Sequence, residues 1–396
     1  MMMKGFRAKV DYVLKHNHCI YLIFNAVFSL LLKMTGLFVR TDRRMILFTG
    51  LSFRYNDSPR AIYEKMIADS RFDDCIFVWG LDDVGTYIPS DPIKVRVDSL
   101  RYFLYSLKAK VWVACVNIER GLHYKKKGCM YLNTWHGVPL KYVGNDAVGR
   151  HDYDFRSIDC FCCSSLWEKN IYAKAFNVPY DAIAMTGLPR NDELYAPSSG
   201  RRAGLRRELG IPEGKRVILY APTWRDSGDG GRTYSLNLPV NMELWKERLG
   251  DDYVILFRAH GYTDSVHGVR FDDFVRDVSS YDNVCDLFIV SDILISDYSA
   301  SIIDYSILER PILCFGFDYE QYRRERGMYV DLALTMPGGV LRDECDVLKY
   351  IEDMDYSAEC EKTGRMVKER FIHTSGNAAD KCVGMIHGFL TGSVSF

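Results

Sequence analysis

Short apolar runs rich in β-branched and aromatic residues recur along the chain between stretches of helical periodicity: Met45 to Thr49, Cys75 to Trp79, Ile93 to Val97, Val111 to Val116 and Met130 to Thr134. Runs that stay apolar instead of alternating predict strands buried on both faces, as in a parallel sheet covered by helices. The polar stretch Ala196-Pro-Ser-Ser-Gly200 interrupts this pattern, and a basic helix from Arg201 to Leu209 follows it. A domain boundary is expected there. Beyond it the alternation resumes with Val217 to Ala221, Tyr253 to Phe257, Ile293 to Ser296 and Ile312 to Phe315, which predicts a second doubly wound sheet. The expected fold class is α/β, with one domain over residues 41–197 and another over 198–396. Two such domains facing each other place a ligand cleft between the carboxyl ends of both sets of strands.

The first forty residues follow a different pattern. From Cys19 the run CIYLIFNAVFSLLL extends for 14 residues, interrupted only by Asn25 and Ser29, until Lys33 ends it. That is short for a bilayer span. Lys4, Arg7, Lys9 and Lys15 precede it, and Lys33, Arg40, Arg43 and Arg44 follow. Cations on both flanks of an apolar helix suit an interface with anionic headgroups, so residues 1–40 are expected to form an amphipathic membrane-associating segment. A signal peptide fits less well, because no small-residue cleavage site follows the run.

Composition narrows the functional class. With 51 Lys+Arg against 52 Asp+Glu, the net charge of −1 leaves no global basic field for nucleic acid, so an anionic ligand must be held locally. Hydrophobic content of 48% with 26% charged residues excludes disorder and multi-span membrane classes. The 12 cysteines are scattered, mostly inside apolar runs, and read as packing residues of a reduced compartment. Cys160, Cys162 and Cys163 lack the second Cys or His pair that a metal site needs, so no metal-ligating set is assigned.

Candidate chemistry gathers at the ends of the predicted strands. In Asn133-Thr-Trp-His-Gly-Val-Pro-Leu140 a single histidine, His136, lies on a Gly/Pro-restricted turn after a strand, where a neutral imidazole can act as general base. Arg258 and His260 follow the strand Tyr253 to Phe257 at i and i+2, leaving on one face, an arrangement suited to a diphosphate. Ser299 and Ser301 are expected to cap a helix from about Ala300 to Leu308, giving an anion site with Asp304 one turn in. Taken singly, each has a plain structural explanation as a turn, a cap or a surface cation.

Together they form a recognisable series. TWHGVPLKYVG (Thr134 to Gly144), GLPRNDELY (Gly187 to Tyr195), ILYAPTWRD (Ile218 to Asp226), FRAH (Phe257 to His260), SDILISDYSASIIDYSILERPILCFGFD (Ser291 to Asp318) and YRRERGMYVDL (Tyr322 to Leu332) occur in this order. The chain resembles the CDP-glycerol glycerophosphotransferases of teichoic acid and capsular polymer synthesis over about residues 40 to 390. The resemblance implies a GT-B arrangement with an acceptor-side N-terminal domain and a C-terminal domain that binds CDP-glycerol. It places donor-site roles on Trp135, His136, Gly137, Val138, Pro139, Arg190, Pro222, Thr223, Arg258, His260, Ser299, Ala300 and Asp304. Two positions depart from the family pattern: Ala300 stands where DYSS is usual, and Val138 where Thr is more frequent.

What the resemblance implies chemically is attack by an acceptor hydroxyl, deprotonated by His136, on the glycerol-bearing phosphorus of CDP-glycerol, with release of CMP. The implied acceptor is a lipid-linked saccharide or polyol phosphate, reached from the cytoplasmic face of the cell membrane. No cofactor held by the protein is implied; a Mg2+ riding on the diphosphate is compatible. A nucleotide-sugar glycosyltransferase of the same architecture, a CDP-ribitol-using relative, and an assembly factor that binds nucleotide without turnover are the alternatives. Released CMP separates the enzymes from the binder.

Overall fold

The computed structural model describes residues 18–150, 153–223, 235–259, 265–267 and 269–394. Seven strands form the first sheet: β1 (Asp42–Thr49), β2 (Ile76–Leu81), β3 (Ile93–Arg96), β4 (Ala109–Ala114), β5 (Met130–Asn133), β6 (Cys160–Cys162) and β7 (Ile183–Ala184). Their spatial order is β3-β2-β1-β4-β5-β6-β7, and every pair is parallel. In the second half come β8 (Arg216–Ala221), β9 (Ser235–Asn237), β10 (Tyr253–Phe257), β11 (Ser265–His267), β12 (Val275–Asp277), β13 (Ile293–Ser296), β14 (Ile312–Phe315) and β15 (Val340–Leu341). Six of them build a second sheet in the order β12-β10-β8-β13-β14-β15, while β9 and β11 pair separately. The α/β class and both sheets agree with the sequence expectation.

Uninterrupted apolar runs become central strands because both faces are covered. In β1, Met45 and Leu47 enter one hydrophobic cluster while Ile46 and Phe48 enter another on the opposite face. In β8, Val217 and Leu219 face one core and Ile218 and Tyr220 the other. Strand order reverses direction between β1 and β4 in the first sheet and between β8 and β13 in the second. Such switch points open crevices at the carboxyl ends of the strands; Thr223 follows β8, and Ser299 and Ala300 follow β13.

Two helices add to this architecture. The final helix, Ala378–Thr391, leaves the second half and packs Cys382, Val383 and Ile386 into the core on one face of the first sheet. The chain therefore crosses between the halves a second time. The N-terminal helix spans His18–Phe38 and continues past Lys33, where the uncharged run ends. Its stretch Ile20–Phe38, 19 residues, is long and apolar enough to cross a membrane by length and composition, and only 11% of its most apolar window is buried. One lysine at a helix surface removes no backbone hydrogen bond, so the helix runs through it.

The two polar residues that interrupt the apolar run have a structural role. Asn25 Nδ2 donates to the Gly121 carbonyl, and Ser29 Oγ accepts from the His123 N–H at 3.0 Å. Phe24 and Leu32 pack on the first domain's core, while Ile23, Leu30, Leu37 and Phe38 are exposed. The helix docks by its polar stripe and turns its apolar side outward.

Burial of the final helix generates a test of the second crossing. Ile386 is fully buried, and Ile386→Ala is expected to destabilise the protein by about 2–5 kcal/mol. A urea titration followed by fluorescence should show a lowered midpoint, and a midpoint equal to that of the unsubstituted protein would contradict this packing.

Candidate active site at the seam of the two halves

The site begins where β4 and β5 end. Asn133 makes an Asx turn, its Oδ1 accepting from the Trp135 N–H at 2.8 Å while its Nδ2 donates to the Val116 carbonyl at 3.0 Å. This bends the chain sharply and leaves Trp135 at φ 52°, a left-handed conformation that costs a non-glycine residue of order 1 kcal/mol. Packing of the indole on Phe155, Phe161 and Phe176 holds it there. The His136 ring stacks on the indole at a centroid distance of 4.0 Å. His136 Nδ1 lies 2.8 Å from the Cys115 carbonyl, which can only accept, so Nδ1 carries the proton and Nε2 is the free lone pair. Burial lowers the His136 pKa below the ordinary 6.5, with the Cys115 hydrogen bond opposing that shift. The half-buried ring is therefore poised as a neutral base.

The residues after His136 pass into the other half of the molecule. Gly137 adopts φ +142°, and a Cβ there would stand 2.7 Å from Ala300 Cβ and 3.3 Å from Arg190 Nη2. Val138 and Leu140, each 1% exposed, belong to the second domain's hydrophobic core. Leu140 then accepts from the Tyr329 N–H at 2.9 Å, and the Tyr142 N–H donates to Gly327 at 3.2 Å, a short antiparallel bridge between the halves. Gly327, at φ +69°, lies under the Tyr142 ring, where a side chain would collide. This gives the YRRERGMYVDL segment a physical purpose that sequence alone did not reveal.

Arg190 fastens the same seam from below. Its Nη1 bonds Asp57 of the first half, and its Nη2 bonds Asp304 of the second at 2.6 Å and the His136 carbonyl at 3.0 Å. The side chain is 11% exposed. Burial opposes its charge, yet Asp304 and Asp57 raise its pKa above the ordinary arginine value. Asn191 Nδ2 donates to the second oxygen of Asp304 at 2.7 Å.

In the second half, β8 leads into Pro222 and Thr223, both buried. The Thr223 N–H and Oγ1–H both donate to Asp297 Oδ1, at 2.9 and 2.5 Å, tying the switch-point strands β8 and β13 together. Ser299 does not cap the next helix, which runs only over Ser301–Ser306; its Oγ instead accepts from the Ser301 N–H at 3.2 Å. Ala300 is the cap residue, and its methyl group rests against Gly137. Arg258, half-buried at the end of β10, donates through Nη1 to the carbonyls of Val278 at 3.3 Å and Tyr281 at 2.5 Å, and burial lowers its pKa. His260 and Arg225 lie outside the described residues.

Trp135, His136, Gly137, Arg190, Ala300 and Asp304 thus form one contiguous cluster at the seam, with Thr223 held by Asp297 on the second sheet. Val138 and Pro139 are buried, and the Val138 side chain is directed into the core instead of the cleft. Asp57 and Asn191 were not singled out from sequence. Asn191 lies inside the quoted PRND motif; Asp57 has no local signal, because its importance comes from a partner 133 positions away. Among the described residues no group of three His, Cys, Asp or Glu could hold a metal ion.

Comparison with known proteins bears on this geometry. The family model of CDP-glycerol:poly(glycerophosphate) glycerophosphotransferase matches residues 31–388. A teichoic acid glycerol-phosphate transferase of Staphylococcus aureus (strain NCTC 8325 / PS 47) is 32% identical over 363 residues, which cover 86% of this chain and 89% of that protein. A teichoic acid poly(glycerol phosphate) polymerase of Staphylococcus epidermidis is 29% identical over 354 residues, 84% of this chain, but the match spans only 49% of its length. A structure of the wall teichoic acid polymerase TagF soaked with CDPG superposes with a TM-score of 0.81 at 27% identity, covering 99% of each chain.

Arg190 supplies the prediction for this site. Arg190→Ala leaves Asp57 and Asp304 buried without a counter-charge, so a loss of about 3–5 kcal/mol is expected. Denaturant unfolding measures it; a loss below about 1 kcal/mol, the range of an exposed ion pair, would mean that the seam is not held by this charge.

Proposed function

Because the chain belongs to the CDP-glycerol:poly(glycerophosphate) glycerophosphotransferase family, we propose that it transfers glycerol phosphate from CDP-glycerol to a hydroxyl of a teichoic acid or related polymer acceptor, releasing CMP. The observation that carries the catalytic assignment is the tautomer of His136: with Nδ1 committed to the Cys115 carbonyl, Nε2 is free to take a proton. In this reading the acceptor hydroxyl gives its proton to Nε2 and its oxygen attacks the glycerol-bearing phosphorus. The bond from that phosphorus to the bridging oxygen breaks, and CMP leaves. Such transfers depend chiefly on positioning and electrostatics. A turn gripped by both halves of the molecule supports the positioning half of that requirement. For the diphosphate, the reading uses Arg258, His260 and the backbone around Ser299 and Ala300 as neutralising groups. The acceptor is lipid-linked, and the outward apolar side of the N-terminal helix supports attachment to the cytoplasmic face of the membrane.

Two experiments test this reading. His136→Ala and His136→Gln should keep CDP-glycerol binding within a few-fold while CMP release at saturating substrates falls by about 10²- to 10⁴-fold. The acid limb of the unsubstituted enzyme should lie below pH 6.5, because the lowered pKa keeps His136 neutral into that range. Retention of more than about a tenth of turnover in either variant places the base elsewhere. For the membrane, removal of residues 1–40 should move the protein from membrane to soluble fraction, whereas high salt alone releases only part of the intact protein; equal partitioning of both forms would refute the attachment.

A further inference from the structure

Beneath the His136 turn lie two buried polar side chains that the proposed chemistry does not use. Glu168 and Tyr172, on the helix Leu166–Ala175, are both fully buried, at 0% exposure. Tyr172 Oη is 3.2 Å from the Gly137 carbonyl and also bonds Glu168 Oε1. The other carboxyl oxygen, Oε2, accepts from the Ser164 N–H at 2.5 Å. With Arg190 on the His136 carbonyl, both peptide carbonyls that flank the Gly137 turn meet a donor from below.

A phenol has one hydrogen to give and two acceptors facing it here. If Glu168 is ionised it can only accept, so Tyr172 donates to it and the Gly137 carbonyl loses its donor. If Glu168 carries a proton, the chain runs in one direction: Glu168 Oε1–H donates to Tyr172 Oη, Tyr172 O–H donates to Gly137, and Ser164 N–H donates to Oε2. The Glu168 carboxyl, the Tyr172 hydroxyl, the Ser164 N–H and the Gly137 carbonyl are then all paired.

We infer that Tyr172 and Glu168 are positioning residues for the His136–Gly137 turn, and that the proton on Glu168 decides whether the Gly137 carbonyl is held. The inference deepens the function proposed above and rests on it for its kinetic consequence. Glu168 is surrounded by Cys162 and Cys163 at the end of β6, Tyr172 one turn on, and Asp304 across the seam. Tyr172 additionally faces Arg190, which is paired with Asp57 and Asp304. Burial, with Asp304 adding to it, raises the Glu168 pKa from 4.5 to about 7, against the hydrogen bonds from Tyr172 and Ser164. The sign follows: a raised carboxyl pKa keeps the proton, and the held turn, below about pH 7, and releases both as pH rises through that value.

The test compares Tyr172→Phe, Glu168→Gln and Glu168→Ala in the full-length protein, by CMP release from CDP-glycerol with a synthetic lipid ending in glycerol phosphate as acceptor. Glutamine reproduces the protonated arrangement, its amide oxygen accepting from Ser164 and its NH₂ donating to Tyr172. Tyr172→Phe should lower kcat about 3- to 10-fold with the KM for CDP-glycerol within about twofold. Glu168→Gln should keep kcat within about twofold at pH 6.5 and abolish the fall in kcat between pH 6.5 and 8. Glu168→Ala leaves the Tyr172 O–H only the Gly137 carbonyl of its two acceptors, so this variant too should lose the fall in kcat between pH 6.5 and 8. A Glu168→Gln enzyme as impaired as Tyr172→Phe, or a Glu168→Gln or Glu168→Ala enzyme that keeps the unsubstituted pH profile, overturns the inference. So does an unchanged kcat in Tyr172→Phe.

A second readout needs no turnover. The Cε1–H proton resonance of His136, assigned by its loss in His136→Gln, should show an inflection near pH 7 that disappears in Glu168→Gln. No such inflection, or its persistence in Glu168→Gln, overturns the coupling. If the unsubstituted protein releases no CMP, the proposed function fails, and this titration still decides whether Glu168 and the turn are linked.

Discussion

A guanidinium held away from water between carboxylates from the two halves of the chain fixes the geometry of the candidate site. Removing a single ion from water costs several kcal/mol even after a protein relaxes around it, and the attraction of one partner rarely offsets that loss. Arg190 has two, Asp57 with a side chain 5% exposed and Asp304 with one 3% exposed. One belongs to the helix Asp57–Ile67 after β1 and the other to the helix Ser301–Ser306 after β13. Separation of the halves at this point would leave at least one of these charges unpaired, so their relative placement is set locally. The remaining Nη2 hydrogen bond goes to the His136 carbonyl. Charge compensation and placement of the candidate base are thus parts of one network.

Apolar packing adds to this constraint from both sides. Val138 and Leu140 leave the first domain to fill the second domain's core, and the helix Ala378–Thr391 returns from the second half to fill a core of the first. Each exchange places side chains of one half where water would otherwise meet the apolar interior of the other. Burying an aliphatic side chain contributes about 1.5–3 kcal/mol, so these exchanges together rival the ion pairs without any directional demand. The division of labour is physical: hydrophobic burial holds the halves together, and the hydrogen-bonded charges determine the register at which they meet.

The sheets were legible because a strand buried on both faces needs a run of apolar residues, and such runs survive any rearrangement of the loops. Predicted and observed bounds of Tyr253–Phe257, Ile293–Ser296 and Ile312–Phe315 coincide. Short edge strands such as Ile183–Ala184 and Val340–Leu341 have too few residues to show a period. At the site, the His136 turn could be read because Gly and Pro mark a turn in sequence. The partners of that turn could not. Cys115 accepts from His136 across 21 positions, and Tyr172 reaches Gly137 across 35. Val138 illustrates the opposite limit: a motif position can be constrained by the core behind the cleft, and spacing alone does not distinguish the two demands.

The N-terminal helix shows how polar interruptions in an apolar segment can define orientation. An uninterrupted apolar helix could rotate about its axis with little change in free energy, since every face would suit either a core or a lipid surface. Asn25 and Ser29 remove that freedom, because their side chains meet the Gly121 carbonyl and the His123 N–H on the loop that follows β4. The same loop begins at Cys115, whose carbonyl orients His136. On the membrane-facing reading proposed above, the bilayer side of the helix and the ring of the candidate base are both referenced to one stretch of backbone. On that same reading, two residues that interrupt the hydrophobic run supply the polar contacts that relate a membrane surface to the candidate site.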